Sequence, residues 1–186
     1  MMTSSHQTAT YRHLEKIGRI RLSQSFLFRE FLHSEIAETY GLVNSPSDLE
    51  LAVEVGTNLC IELLEPIQAE FGRLSIRSGY RSAEVNALGH RLGLNCASNQ
   101  RNAAAHIWDM KDQNDCKGAT ACVVIPAFWE ENQRQGDWQI LANWIDTNLP
   151  YSTVTFFPKL WAFNIQWHQS PKRKIKSYAK PRGRFR

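Results

Sequence analysis

No two cysteines stand in a C-x-x-C pair, and the four present (Cys60, Cys96, Cys116, Cys122) are scattered. That spacing argues against a disulfide framework and matches no usual zinc-ligand pattern. Buried or inert thiols are the expectation. No run of about 18 apolar residues occurs, so no transmembrane helix is expected. The opening MMTSSHQTATYRHLEK lacks an apolar core, so no secretory signal is expected, and the protein is placed in the cytoplasm of the cell that makes it. Walker A, G-x-G-x-x-G, G-x-S-x-G and H-E-x-x-H are all missing, which removes the common nucleotide, dinucleotide, serine-hydrolase and zincin signatures. There is no internal repeat. Acid is missing from one stretch: residues 172–186 hold eight lysines and arginines and not one Asp or Glu.

What is present is an ordinary globular composition of 186 residues, 42% hydrophobic and 22% charged. The net charge of +4 hides an asymmetry, because the chain without its last basic stretch has 14 basic and 18 acidic residues. The chain therefore reads as an arm (1–21), a mildly acidic domain (22–169) and a basic tail (170–186) that composition alone would leave disordered. Such a tail neutralises phosphates or docks on an acidic protein, and Tyr178 and Phe185 would add stacking. An acidic body would not reinforce nucleic-acid binding, so nucleic acid is not the expected partner.

Hydrophobic periodicity places helices first. Residues 1–20 suit an extended arm or a short helix. Ser25 would cap a helix carrying Phe28, Phe31, Leu32 and Ile36 and ending at Gly41. A long helix spans about 49–71, with Leu51, Val55, Leu59, Leu63 and Ile67 on one face and Pro66 as a possible kink. Ser82 caps a short helix, and Asp137 one over 138–148. Strands are expected at 74–78, 104–110, 120–125, 153–157 and 161–167. Helices followed by strands with few crossovers read as an α+β fold, N-terminal helices packed on a mainly antiparallel sheet.

Three places carry candidate chemistry. In Ser78-Gly79-Tyr80-Arg81-Ser82, a turn after a strand, Arg81 is either a solvated arginine or a fork that grips a carboxylate. In Ala104-Ala105-His106-Ile107-Trp108-Asp109, His106 is either a metal ligand or a buried histidine bonded to backbone; Asp109 joins it only if the strand ends or bulges. In Phe163–His168, alternation puts Asn164, Gln166 and His168 on one face, as a polar site or as a solvated edge.

The order of these features resembles the M15-type zinc D-Ala-D-Ala peptidases of the hedgehog/DD-peptidase fold. LSQSFLFREFLHSEIAETYG resembles the family's opening helix, and LEP, a glycine, a strand and SGYRSAEVN resemble its most specific stretch; the likeness runs from about Leu22 to His168. It implies an α+β fold whose sheet carries zinc, and peptidoglycan stem peptides as substrate. Zinc would be held by Asn99, His106 and His168, with Asp109 as a substitute, although the family's own set is His, Asp, His and Asn99 replaces a histidine. An asparagine carbonyl is a poor zinc ligand. Arg81 and Gln166 stand as catalytic candidates, and Arg81, Tyr80 and Ser82 as substrate-binding ones. No carboxylate accompanies His168 on its strand, where the family places a general base; Asn164, Gln166 and Gln169 cannot take a proton at neutral pH. The resemblance thus implies either a zinc carboxypeptidase or endopeptidase with altered ligands, or a catalytically degenerate structural or adaptor subunit of a phage tail or baseplate, joined to other virion subunits through the basic tail.

Overall fold

The computed structural model describes residues 4–185. Its class is α+β: nine α-helices and a mixed six-stranded sheet among the described residues. Helices α1 (Ser4–Gly18), α2 (Arg29–Leu32), α3 (Glu35–Tyr40), α4 (Leu49–Leu59) and α5 (Glu65–Phe71) precede strand β1 (Ser75–Ser78). Then come α6 (Ala83–Arg91), α7 (Asn99–Asn102), β2 (Gly118–Val124), α8 (Pro126–Glu131), α9 (Trp138–Asn148), β3 (Thr153–Phe156), β4 (Phe163–His168), β5 (Lys174–Ser177) and β6 (Gly183–Arg184).

The helical punctuation follows elementary capping. Asp48 accepts from the Leu51 N–H and Ser82 from the Val85 N–H, each satisfying a donor that the first helical turn leaves over. The helix expected to start at Ser25 is instead two short ones. Ser34 interrupts it by capping α3, while Ser25 gives its N–H and hydroxyl to the Glu65 carboxylate. Gly41 ends α3 in the left-handed conformation, as expected. The long helix over 49–71 is continuous, but Cys60–Leu64 form a π turn between α4 and α5. Pro66 falls in the first turn of α5, directly after the π turn.

Strand order is β1-β2-β4-β3-β5-β6, with four antiparallel pairings and one parallel pairing, β3 with β5. One sheet face is apolar: Ala119, Ala121 and Val123 of β2, Val154 and Phe156 of β3, Phe163 and Ile165 of β4 and Ile175 of β5 are buried in the core. Helix α4 and the π turn close that core with Ala52, Val55, Leu59 and Leu63. Residues 170–185 join the sheet as β5 and β6; the alternation of Lys174 and Lys176 (exposed) with Ile175 and Ser177 (buried) is a strand pattern inside a basic composition. Arg186 and residues 1–3 lie outside the described residues.

One expected strand is not there. Residues 104–110 form successive turns, with a single bridge between Ala103 and Ile107. Ala104 sits at φ +52°, a left-handed backbone that no strand contains. The apolar look of this segment comes from Ile107 and Trp108 plugging the core.

Candidate functional site

The turn segment 103–109 lies across the polar face of the sheet and reaches the end of β1. The Thr120 N–H donates to the Ala105 carbonyl (2.9 Å), and the Arg81 N–H donates to the His106 carbonyl (2.8 Å). Gln166 Nε2 donates to the Ala104 carbonyl at 2.8 Å, and its Oε1 accepts from the Thr153 hydroxyl at 3.0 Å. The left-handed Ala104 is thus clamped at its carbonyl by Gln166 and at its N–H by the Met110 carbonyl (2.6 Å). This gives Gln166 a structural duty. A Cβ at Gly118 would stand 2.3 Å from the Ala104 carbonyl oxygen and 2.9 Å from His168 Cδ2. Gly118→Ala is therefore expected to lift the 103–109 segment and cost about 1–3 kcal/mol, the range for overpacking; a urea unfolding midpoint equal to wild type would contradict this packing.

The two imidazoles differ in what they present. His106 Nδ1–H donates to the Gly79 carbonyl (2.9 Å), which leaves the Nε2 lone pair as the ring's acceptor. Desolvation, then the nearby Arg81 charge, push its pKa down to about 4, against the opposing pull of the Gly79 bond. It is a neutral imidazole at pH 7. His168 is buried at the end of β4, with Nε2 3.3 Å from Asp112 Oδ2. Its Nδ1 stands 2.9 Å from the Ser170 carbonyl oxygen and 3.1 Å from the Ser170 nitrogen. Both of its nitrogens are engaged. Asp112 is itself oriented by the N–H groups of Asn114 (2.9 Å) and Cys116 (3.0 Å). Burial acts to raise the Asp112 pKa, but these two bonds and the neighbouring His168 outweigh it and hold the carboxyl below its ordinary value. A carboxylate therefore does accompany the last histidine, from a loop rather than from its own strand.

The expected ligand set does not come together. Asn99 Nδ2 donates to the Ala83 carbonyl (3.0 Å), and its Oδ1 accepts from Asn86 Nδ2 (2.8 Å). It belongs to an asparagine network: Asn86 Oδ1 takes Asn102 Nδ2 (2.7 Å) and Arg81 (3.2 Å). Asp109, the substitute, holds the loop before α4: Oδ2 accepts from the Ser47 N–H (2.8 Å), the Ser47 hydroxyl (2.9 Å) and the Tyr80 hydroxyl (3.2 Å), while Oδ1 is buried unpaired. Among the described residues no three His, Cys, Asp or Glu side chains converge as metal ligands. With an amide already consumed and one imidazole saturated, the donor set does not fit a catalytic zinc, which wants three protein ligands and an open position.

The substrate candidates also divide. Tyr80 is 1% exposed and packs edge-on against Phe28 and Trp108. Ser82 is buried as the α6 cap. Arg81 is half-buried, and its Nη1 donates to Asn86 Oδ1 (3.2 Å) and Cys96 Sγ (3.0 Å). No carboxylate pairs with it among the described residues. It lines a groove of ≈ 530 Å³ with Arg77, His33, Ser34, Glu35, Ser78 and Tyr40. Arg77, exposed on β1, escaped the sequence reading; its position four residues before Arg81 was the available signal. Behind it, burial pushes the Cys122 thiol up to about 11, against the pull of Arg77. All four cysteines are free thiols.

No protein-family model matches this chain, and neither a curated protein nor a solved structure matches it.

Proposed function

We propose that this chain is a degenerate relative of the M15-type zinc D-Ala-D-Ala peptidases, of the hedgehog/DD-peptidase fold, that holds the carboxylate end of a peptidoglycan stem peptide without hydrolysing it. The observation that carries the reading is the half-buried Arg81 guanidinium, free of any acidic partner among the described residues, in a groove that also contains Arg77. A guanidinium that has lost part of its hydration and hydrogen-bonds no carboxylate favours an incoming anion, even with Glu35 elsewhere on the groove wall. The asparagine network beneath it fixes the side chain before the ligand arrives, so less rotamer entropy is lost on binding. The engaged amide of Asn99 and the saturated ring of His168 support binding in place of hydrolysis.

Calorimetric titration with a stem peptide ending in D-Ala-D-Ala tests this. The free acid should bind and its C-terminal amide should bind at least about tenfold more weakly, the size of one lost charge-assisted hydrogen bond. Arg81→Ala, and independently Arg77→Ala, should erase the difference. Equal affinity for acid and amide would remove the reading. Release of D-alanine on addition of zinc would replace it with the hydrolytic one.

A further inference from the structure

The sheet face opposite the core carries a second pattern. Ser78, Cys122, Asn164, Thr155, Lys176 and Arg184 stand in register across all six strands, from β1 to β6. A parallel row beside it contains Thr120, Gln166, Thr153 and Lys174. Residues paired across strands point to one face, so these side chains form one polar platform whose cations gather at the β5–β6 end. Lys174 and Lys176 are two residues apart on one strand, about 7 Å along it, a spacing close to that of successive phosphates on an extended nucleic-acid strand. Among the described residues no carboxylate pairs with Lys174, Lys176 or Arg184, and Arg184 faces Lys176 directly across the ladder. Like charges held opposite each other repel unless an anion lies between them.

The platform ends in aromatics. Phe157 and Tyr178 continue the alternation beyond β3 and β5, and their rings stack with centroids 5.9 Å apart at 20°. Tyr178 remains 53% exposed, and Lys176 Nζ stands 5.4 Å from its ring centroid. Its backbone N–H is tied to the Phe156 carbonyl (2.9 Å), so the ring has a fixed base.

We infer that this face binds single-stranded nucleic acid. Lys174, Lys176 and Arg184 take the phosphates, Tyr178 stacks a base, and Thr155 and Asn164 of the first row meet sugars and base edges, since Thr120, Gln166 and Thr153 of the second row are engaged beneath the 103–109 segment. An acidic protein would use the cations and leave the stacked rings idle, and a duplex would keep its bases away from Tyr178. The net acidity of the body argued from composition against such a partner; the structure sets Lys174, Lys176 and Arg184 together on one face, where local charge governs binding.

Fluorescence anisotropy of labelled oligothymidylate and oligouridylate, over a range of salt, is the test. Both should bind the intact chain. Replacing both lysines (Lys174→Gln with Lys176→Gln) should flatten the plot of log K against log salt by about 1.4, at roughly 0.7 per phosphate contact. Tyr178→Ala should weaken binding about tenfold and leave that slope unchanged. The two variants change exposed side chains, and their melting temperatures report on folding. Three results would each overturn the inference: no binding of either oligomer at low salt, equal or tighter binding of a duplex of the same length, or affinity unmoved by Tyr178→Ala and matched by polyglutamate.

Discussion

Trp108→Ala should destabilise the protein by about 3–5 kcal/mol, the range for deleting a buried tryptophan, and lower Tm by about 10 °C for a chain of this size. Trp108 is fully buried; its ring lies 5.3 Å from Phe31, 6.0 Å from Phe28 and 6.2 Å from Tyr80, centroid to centroid. A Cβ at Gly56 would come within 2.7 Å of it, so helix α4 is packed against the indole with no slack. Its Nε1–H is satisfied by the Thr120 carbonyl (3.1 Å). One side chain therefore joins α2, α4, the β1 turn and β2. The void left by alanine cannot close without moving the segment that bears His106 and Asp109. A calorimetric melt checks the size, and a loss below about 1 kcal/mol would mean that these aromatic contacts do not define the core.

Acid should destabilise the fold through His106. Its folded pKa is depressed to about 4 from 6.5, so the neutral ring is the form the fold favours. Above pH 6.5 the ring is neutral whether the chain is folded or not, and the stabilisation is fully present. As pH falls from 6.5 toward 4, the unfolded chain takes up a proton that the folded one refuses, and stability declines. At about 1.4 kcal/mol per pKa unit, the decline is about 2 kcal/mol between pH 7 and pH 5 and about 3 kcal/mol by pH 4. Urea titrations at several pH values measure it, and His106→Gln should flatten the profile over that window. Below that window, Asp112 and Glu65 add their own loss. Glu65, despite the desolvation that pushes its pKa up, is held below its ordinary value by the Ser23 hydroxyl and by the Ser25 N–H and hydroxyl. A wild-type profile already flat from pH 7 to 5 would show that His106 is solvated in the folded state.

Much of the architecture was readable in residue patterns. The apolar face of 49–71 at helical spacing, the cap at Ser82 and the strands around 120, 154 and 165 obey local rules that tertiary packing did not override, whereas Asp137, expected as a cap, makes no cap bond and accepts the Arg134 N–H instead. Beside the split of the helix expected at Ser25, two more readings failed for identifiable reasons. Ile107 and Trp108 sit at a spacing that suits a strand, but the backbone turns at Ala104, and no side-chain pattern announces a left-handed alanine whose carbonyl is clamped by a glutamine 62 residues away. The run from Lys172 onward looked like a tail because eight cations dominate its composition, while Ile175 and Ser177 carried the weaker signal of alternation. The site was legible in part. Arg81 lines a groove, but the partners of Asn99, Asp109 and His168 come from segments far along the chain, and neither spacing nor composition could assign them.

The two outer strands have one more consequence. An open sheet offers unpaired backbone at both ends, and a neighbour's strand can extend it indefinitely. Here β6 is only two residues long and carries Arg184, and β1 is kinked by the register slip between Ile76 and Ser78. Neither margin gives a second molecule a straight, uncharged template. The protein should accordingly tolerate high concentration without fibrous growth, because polymerisation is obstructed at the very places where a sheet ordinarily invites it.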